Sequence, residues 1–209
     1  LPGLPMVGDG LKVAHLSDLH LGSLLGTRWL AARIAQTEAL RPDLIVITGD
    51  LVDGDSAEVE RLLPLLRTLH APLGVFAVTG NHEFYAGLDR SVALLASAGF
   101  RVLRDAHVEV TPGLALAGVD DLTARKQFGL DNDPISRALQ GRPAGATILL
   151  SHTPWRGAEA EAGGVSLMLC GHTHDGQIWP FGYLVRLQYP HVGGSSRIDG
   201  MTMLVSRGT

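Results

Sequence analysis

Five of the nine histidines in this chain occur in short polar motifs that also carry two aspartates and an asparagine. Each motif follows or ends an apolar run that predicts a buried strand. In order, the motifs are Asp18-Leu19-His20, Gly49-Asp50, Gly80-Asn81-His82-Glu83, Ser151-His152 and Gly171-His172-Thr173-His174. Carboxylates, imidazoles and an amide oxygen suit divalent metals of intermediate hardness, and two ions need about this many ligands. The pattern indicates a metal site for the hydrolysis of a phosphate ester.

The positions of these motifs along the chain favour a single shared site. In open α/β sheets, ligands bind at the carboxyl ends of the strands, and each motif lies at such an end. Residues i and i+2 of an extended segment point the same way, so Asp18 and His20 can face one ion. An Asp-x-His triplet alone is a weak signal because it occurs often by chance. All five motifs in this order, each after a strand, make a strong one.

The first half of the chain predicts strands that alternate with helices. The predicted strands cover residues 11–17, 43–48 and 73–78, and the predicted helices cover 28–40, 56–69 with Ser56 as N-cap, and 88–98 closed by Gly99. The β-branched run at 43–48 does not alternate with polar residues, which is typical of a strand buried on both faces. In the first helix, Ile34 and Leu40 are predicted to face the core. The strand and helix order predicts a parallel sheet.

The second half of the chain predicts shorter elements. Residues 102–103, 107–110 and 114–119 are predicted strands of an antiparallel meander, which extends the first sheet or starts a second one. Residues 120–133 are predicted to form a loop at the sheet edge. A helix at 134–139, strands at 147–150 and 165–169 with a weak helix between them, and two or three strands within 183–206 complete the prediction. Without repeats or a linker, residues 1–209 are interpreted as one domain.

Composition excludes some classes of function. Seventeen Lys and Arg against twenty-one Asp and Glu give a net charge of −4, and no basic run could follow a nucleic-acid backbone. The single cysteine, Cys170, cannot form an internal disulfide and is interpreted as a buried, inert thiol. No apolar stretch approaches the roughly 20 residues that span a bilayer. Because the first residue is not Met, a preceding membrane anchor stays open, and so does a cytoplasmic or membrane-associated location.

The motifs resemble those of the calcineurin-like metallophosphoesterases, whose pattern runs D-x-H, GD, GNH[DE], H and GH-x-H. The resemblance extends from Leu11 to about Ser206, and residues 17–22 and 171–177 resemble a bacterial branch that is often anchored to membranes. It implies an α/β fold in which a two-sheet β-sandwich is flanked by helices, in four layers (αββα). Family members usually have Gly where Asp175 stands. They also continue past residue 208, which leaves open whether a last strand or two follow this chain.

The resemblance also implies a role for each motif residue. It assigns one metal ion to Asp18, His20, Asp50 and His174, and the other to Asp50, Asn81, His152 and His172. Asp50 would bridge the two divalent ions, which are Mn, Fe, Zn or Co. His82 is the implied catalytic residue, contacting the phosphoryl oxygens or protonating the leaving group. Two divalent cations outweigh two ligand carboxylates in charge, so an anionic substrate is favoured.

The implied reaction is hydrolysis of a phosphodiester, phosphomonoester or pyrophosphate bond by metal-bound hydroxide. The partner would be a phosphate-containing small molecule or a lipid headgroup, with peripheral membrane association left open. One alternative is a lipid-linked UDP-sugar pyrophosphatase of lipid A assembly. An alternative of another class is a non-catalytic scaffold that keeps the fold. Substrate and oligomeric state are not determined by the sequence.

Several residues near the motifs have an ordinary structural interpretation as well as a functional one. Lone histidines are more often hydrogen-bonded than metal-bound, so no role is assigned to His15, His70, His107 and His191. Solvated carboxylates or helix caps are expected at Asp53, Asp55, Asp120 and Asp121, and surface charges at Arg125, Lys126 and Arg186. For Glu83, an ordinary structural role and the orientation of a ligand histidine both stay open. An apolar wall for the substrate and simple loop packing both stay open for Trp155, Trp179, Phe181 and Tyr183.

Overall fold

The computed structural model describes residues 1–22, 26–54, 56–130, 133–174, 189 and 191–209. Within these residues the chain forms two β-sheets with helices on their outer faces. The strands are β1 (Val13–Leu16), β2 (Leu44–Thr48), β3 (Val75–Val78), β4 (Arg101–Val102), β5 (Ala106–Thr111), β6 (Leu114–Gly118), β7 (Ala146–Leu150), β8 (Leu167–Cys170), β9 (Gly194–Ile198) and β10 (Met201–Val205). The helices are α1 (Thr27–Ala39), α2 (Ser56–Glu60), α3 (Leu63–Leu66), α4 (Asn81–Tyr85), α5 (Leu88–Ser97), α6 (Leu122–Gln127), α7 (Pro134–Leu139) and α8 (Gly157–Ala162).

The first sheet has the order β1-β2-β3-β4, and all its strands are parallel. Every residue of β2 and β3 is buried, as the unbroken apolar runs predict for strands covered on both faces. This confirms the predicted parallel sheet. It also aligns the carboxyl ends of β1, β2 and β3 at one edge, where the first three motifs begin.

The second sheet has the order β5-β6-β7-β8-β10-β9. β6, β7, β8 and β10 run parallel, while β5 and β9 at the two edges are antiparallel to their neighbours. The antiparallel pair β5 and β6 therefore starts a second sheet, and β4 belongs to the first. The part of the predicted region 183–206 that the structure describes contains two strands, β9 and β10.

Three apolar clusters hold the four layers of helices and sheets together. One joins the first sheet to its helices through residues such as Leu30, Ile47 and Leu95. A second lies between the sheets and includes Val46 and Leu116. The third joins the second sheet to helices α7 and α8. The predicted class, an α/β fold with a two-sheet sandwich between helical layers, is confirmed, whereas the single domain over 1–209 stays a prediction.

Three local predictions are wrong. The helix predicted at 56–69 is interrupted between α2 and α3, where Pro64, near the start of α3, has no N–H for a continuous helix. Leu40, the C-cap of α1, is 65% exposed and does not pack on the core. Residues 120–133 are not simply a loop, since α6 begins after Asp121, whose carboxylate accepts a hydrogen bond from Ala124 N at 2.7 Å. The side chain of Ser56 lies outside the described part of the chain.

None of the helices in the described part of the chain combines the length and the apolar character that crossing a bilayer requires. The longest, α1, has 13 residues.

Candidate metal centre

The loops after β1 and β2 keep the parallel register of their strands. Asp18 N donates to Gly49 O at 3.1 Å, and His20 N donates to Asp50 O at 2.9 Å. Further along the two loops, Leu21 and Val52 form an isolated parallel β-bridge. The two loops therefore advance side by side, which brings the carboxylates of Asp18 and Asp50 to the same edge of the sheet.

Most of the predicted ligands lie in the left-handed backbone region. Five of the nine non-glycine residues that have positive φ in the described part of the chain are predicted ligands: Asp18, His20, Asp50, His172 and His174. Such conformations are uncommon for residues with a Cβ and concentrate at functional sites. Here they turn each side chain out of the strand direction and toward the common edge.

A first group of potential ligand atoms comes from Asp18, His20 and His174. His174 Nε2 lies 3.2 Å from Asp18 Oδ1 and 3.3 Å from His20 Nε2. Ligand atoms about 2.1 Å from one ion at tetrahedral or octahedral angles are roughly 3.0–3.4 Å apart. The spacing of these three donors therefore fits a shared cation.

A second group comes from Asp50, His152 and His172. His152 Nε2 lies 3.1 Å from Asp50 Oδ2 and 3.1 Å from His172 Nδ1. The other ring nitrogen of His152 donates to Thr48 O at 2.7 Å, so a neutral His152 directs a lone pair from Nε2 into the group. This spacing also fits one cation.

Asn81 begins α4 directly after β3, and its Oδ1 atom is buried without a hydrogen-bond partner among the described residues. An unpartnered buried amide oxygen costs about 1–3 kcal/mol, which a bound cation would offset. The donor set therefore suits divalent metal ions, because it combines this unpartnered oxygen with the oxygen and nitrogen donors of the two groups. The helical conformation of Asn81 and His82 was not predicted from the sequence.

Asp50 lies between the two groups. Its Oδ2 atom is 3.1 Å from His152 Nε2 in the second group and 3.9 Å from His20 Nε2 in the first. Its Oδ1 atom accepts a hydrogen bond from His82 N at 3.0 Å. One carboxylate thus reaches histidines of both groups, which is the placement a bridging ligand needs.

Glu83 acts on the backbone of this region rather than on a histidine. Its carboxylate is fully buried and accepts four hydrogen bonds at 2.7–2.9 Å, from the backbone N–H groups of Asp50, Leu51, Val52 and Gly80. The loops that carry Asp50 and Asn81 are therefore tied to one side chain. Burial and the neighbouring charge of Asp50 raise the pKa of Glu83, while the N–H donors oppose them.

His82 is held by a residue that sequence analysis interpreted as a solvated carboxylate or a helix cap. Its Nδ1 atom lies 3.0 Å from Asp53 Oδ1, and its Nε2 atom lies 3.9 Å from Asp50 Oδ2. The side chain of Asp53 is 46% exposed, yet it contacts both His82 and His20. The side chain of His82 is 33% exposed, and with His20 and Asp53 it forms a third cluster of potential ligand atoms, in which Asp53 orients its ring.

The charges of the site shift several pKa values. Burial opposes ionisation of Asp18, but hydrogen bonds from His174 and Ser17 and the charge of His152 outweigh it and lower the pKa of Asp18. Burial also opposes protonation of His152, yet Asp50 raises its pKa to about 10. Burial and the charge of His152 lower the pKa of His172 to about 4. Without a cation, a proton on His152 partly balances the carboxylates.

The predictions for two further charged residues, Asp120 as a solvated carboxylate or helix cap and Arg125 as a surface charge, are wrong. Asp120 is 3% exposed and Arg125 is 6% exposed, so they are not surface groups. Arg125 Nη1 lies 2.8 Å from Asp105 Oδ2 and 3.9 Å from Asp120 Oδ2, and Asp120 also accepts a hydrogen bond from Thr79 Oγ1 at 2.9 Å. This buried network supports the start of the loop that carries Asn81. Asp55, Asp175, Trp179, Phe181, Tyr183 and Arg186 lie outside the described residues.

Tyr189 is a neighbour of the site that sequence analysis missed. Its hydroxyl lies 2.9 Å from His172 Nε2, and its ring stacks on Trp155 with centroids 5.7 Å apart. No spacing signal connects Tyr189 to the GH-x-H motif, because 14 residues separate it from His174. Trp155 thus packs on Tyr189, whereas its part in a substrate wall stays a prediction.

Two sheets that gather carboxylates, histidines and an asparagine at their strand ends define a metallophosphoesterase-type fold and site. A profile of the family described as calcineurin-like phosphoesterase matches residues 11–176. The chain therefore belongs to the calcineurin-like phosphoesterase family.

Similar chains occur in bacteria and animals. An uncharacterized metallophosphoesterase of Aquifex aeolicus is 37% identical over 204 residues, which cover 96% of this chain and 78% of the relative. A zebrafish (Danio rerio) protein named as a transmembrane protein with a metallophosphoesterase domain is 35% identical over 99% of this chain and 50% of its own length. The chain thus spans about half the length of several relatives.

Solved structures share the fold at low sequence identity. A dimetal phosphatase from Danio rerio has a TM-score of 0.61 at 14% identity, covering 95% of this chain and 87% of that one. A putative 5'-nucleotidase from Staphylococcus aureus also has a TM-score of 0.61 at 14% identity, over 95% of this chain and 49% of that one. These similarities establish the four-layer fold.

Proposed function

We propose that this chain hydrolyses a phosphodiester, phosphomonoester or pyrophosphate bond with the help of two divalent metal ions. The observation that carries the proposal is the pairing of two donor groups across Asp50, each with the spacing of ligands around one ion. Family membership and the fold shared with a dimetal phosphatase support it.

In the proposed site, seven side chains hold the ions. The first ion is assigned to Asp18, His20, Asp50 and His174, and the second to Asp50, Asn81, His152 and His172. When bound, such a pair of ions neutralises the phosphoryl oxygens and lowers the pKa of a bound water toward about 7. Mixed oxygen and nitrogen donors suit Mn, Fe, Zn or Co.

His82 is the proposed catalytic residue. Its Nδ1–H donates to the carboxylate of Asp53 at 3.0 Å, which fixes the orientation of the ring. That leaves Nε2 on the side of Asp50, where it can contact a phosphoryl oxygen or give a proton to the leaving group. A positioned acid of this kind contributes about 10²–10⁴-fold to the rate.

The structure gives little support to the alternative of a non-catalytic scaffold. A scaffold has no need for a buried amide oxygen without a partner, five ligand residues with positive φ, or a carboxylate that orients His82. All three features are costly or unused without an ion and a substrate.

Hydrolysis of bis-p-nitrophenyl phosphate and p-nitrophenyl phosphate with added Mn²⁺ tests this proposal. We expect turnover of at least one ester and its loss in the Asp50→Asn variant. No turnover of either ester with Mn²⁺, Fe²⁺, Zn²⁺ or Co²⁺ would contradict the proposal and favour the scaffold.

The His82→Ala variant tests the division of roles within the site. We expect it to retain two ions per chain and to lose about 10²–10⁴-fold in kcat, because His82 is assigned to proton transfer rather than to metal binding. His70→Ala, which removes an exposed histidine, is the matched control and should keep the full rate. Loss of an ion in His82→Ala would make His82 a ligand, and full activity would remove it from the reaction.

We further propose that the phosphate-containing partner is a small molecule or a lipid headgroup at a membrane surface. The names of the zebrafish and bovine relatives, both transmembrane proteins with a metallophosphoesterase domain, support this location. Fractionation of the native protein in its own cells tests it. Recovery in the membrane fraction is expected, and recovery only in the soluble fraction would contradict it.

A further inference from the structure

We infer that Asp121 is a positioning residue for two ligands of the second ion, Asn81 and His152. The inference rests on the proposed function, since it requires that ion. Asn81 follows β3 in the first sheet, and His152 follows β7 in the second. Two ligands from different sheets can share one ion only if their loops keep a fixed separation. Asp121, which is fully buried, connects the two loops through hydrogen bonds on both sides.

One end of this connection, the Asp121 bridge, lies at the loop of Asn81. Thr79 is fully buried and stands two residues before Asn81. Its hydroxyl donates to Asp120 Oδ1 at 2.9 Å and accepts a hydrogen bond from Asp121 N at 3.3 Å. Arg104 also holds the carboxylate of Asp120, with Nε 3.0 Å from Oδ2. The loop of Asn81 is therefore tied to the segment that follows β6.

The other end of the Asp121 bridge lies at the loop of His152. Thr153 directly follows His152 and is fully buried, and its hydroxyl donates to Asp121 Oδ2 at 2.5 Å. The second oxygen of the same carboxylate accepts a hydrogen bond from Ala124 N at 2.7 Å and caps α6. The direction of these bonds is fixed, because a carboxylate only accepts and a backbone N–H only donates. Asp121 thus reaches the Asn81 loop through its backbone and the His152 loop through its side chain.

The ligands of the first ion are held by other contacts. Asp18 N, for example, donates to Gly49 O at 3.1 Å. In the described part of the chain, the hydrogen bonds of Asp121 do not go to Asp18, His20 or His174. Loss of the Asp121 bridge should therefore weaken binding of the second ion and spare the first.

Valine variants at the two ends test the Asp121 bridge. Thr153→Val and Thr79→Val each remove one hydroxyl and keep the branched shape of the side chain. We expect the affinity for the second ion to fall by about tenfold in each variant, and that for the first to stay within about threefold. A loss of about tenfold is the lower end for groups that orient metal ligands, because Thr48 O still holds the ring of His152 at 2.7 Å. Thr153→Ser, which keeps the hydroxyl, should keep the affinity.

Titration of metal-free protein with buffered Zn²⁺ measures both affinities. NMR spectra of the histidine rings separate the two ions, since they are assigned to different histidines: His152 and His172 for the second ion, His20 and His174 for the first. In the double variant, the affinity for the second ion should again be about tenfold lower, not about a hundredfold, because either substitution alone breaks the same bridge.

Thr37→Val is the matched control. Thr37 is 4% exposed, and its hydroxyl donates to Arg33 O at 2.9 Å within α1. Both Zn²⁺ affinities should be unchanged in this variant. Equal losses for both ions in the two bridge variants, no loss for either ion, or multiplied losses in the double variant would overturn the inference alone. Fewer than two Zn²⁺ ions bound by the unaltered protein would overturn the proposed function, and the inference with it.

Discussion

At the scale of single residues, the proposed site depends on side chains whose orientation is fixed by a neighbour. Asp53 orients His82, Thr48 O orients His152, and Glu83 holds the backbone on which Asp50 and Asn81 lie. The sequence predicted the donor set because its residue types and order are distinctive. It did not predict the roles of Asp53 and Glu83, because a carboxylate beside a motif is usually a solvated group, and only the three-dimensional contacts reveal which atoms it meets.

Glu83→Gln tests the support of the Asp50 loop. A glutamine amide has one acceptor oxygen, so its NH₂ group would face backbone N–H donors that the carboxylate now satisfies. We expect metal affinity to fall by about 10–100-fold, with the free energy of unfolding of the metal-free protein lowered by about 2–3 kcal/mol. Isothermal titration with Mn²⁺ and urea denaturation measure the two effects.

Glu60→Gln is the control for this variant, because Glu60 is exposed and pairs only with the exposed Arg90 among the described contacts. It should match the unaltered protein in both measurements. A Glu83→Gln variant with unchanged metal affinity would mean that the loop keeps its conformation without the carboxylate.

At the scale of secondary-structure elements, the carboxyl ends of the strands determine where the proposed ligands lie. The sequence predicted which strands precede the motifs, since apolar runs of β-branched residues are reliable signals. It did not predict α4, because five residues are too few for a helical period and the helix depends on the Glu83 hydrogen bonds at its start. It did not predict α6 either, whose polar sequence is typical of a loop and whose cap, Asp121, is buried by tertiary packing.

Gly80→Ala tests the close approach of α4 to the Asp50 loop. A Cβ atom at position 80 would collide with Asp50 Oδ1, although the backbone conformation at Gly80, with φ of −101°, is open to alanine. We expect displacement of the Asp50 carboxylate and a loss of at least tenfold in metal affinity, by the sensitivity of metal sites to ligand orientation. Mn²⁺ titration gives the measurement.

Gly26→Ala is a closely matched control for Gly80→Ala. Gly26 also precedes a helix, its φ is −97°, and a Cβ atom there would meet nothing within 4 Å. The metal affinity of the Gly26→Ala variant should equal that of the unaltered protein. Equal affinities in both alanine variants would show that the Asp50 carboxylate does not need its present position.

At the scale of the whole molecule, the site lies where the two sheets meet. The first sheet supplies Asp18, His20, Asp50 and Asn81, and the second supplies His152, His172 and His174. His152 Nδ1 donates across the seam to Thr48 O at 2.7 Å, and His172 N donates to Asp18 Oδ1 at 3.1 Å. The sequence predicted two sheets only through the family resemblance, because periodicity left open whether the meander extends the first sheet.

The burial of His15 on β1, which pairs with β2, predicts a pH dependence of the free energy of unfolding. Burial lowers the pKa of His15 to about 4, so His15 is neutral in the folded protein, with Nε2 2.8 Å from Thr48 Oγ1. Unfolded histidine takes up a proton near pH 6.5, so the unfolded state binds more protons between pH 6.5 and 4. The contribution of His15 to the free energy of unfolding therefore falls as the pH is lowered through this range, by at most about 3 kcal/mol.

Urea denaturation of the metal-free protein at several pH values measures this effect. The His15→Gln variant should lose less stability between pH 6.5 and 4 than the unaltered protein, because it has no proton to take up. Parallel pH profiles for the two proteins would contradict the assignment of the effect to His15.

The most direct test of a binuclear centre is the anomalous difference density of a crystal grown from Mn²⁺-loaded protein. A binuclear centre held by the seven proposed ligands should give two peaks, on opposite sides of the Asp50 carboxylate. One should lie about 2.0–2.3 Å from donor atoms of Asp18, His20 and His174, and the other at similar distances from Asn81, His152 and His172. A single peak, peaks elsewhere or no peak at full Mn²⁺ loading would contradict it.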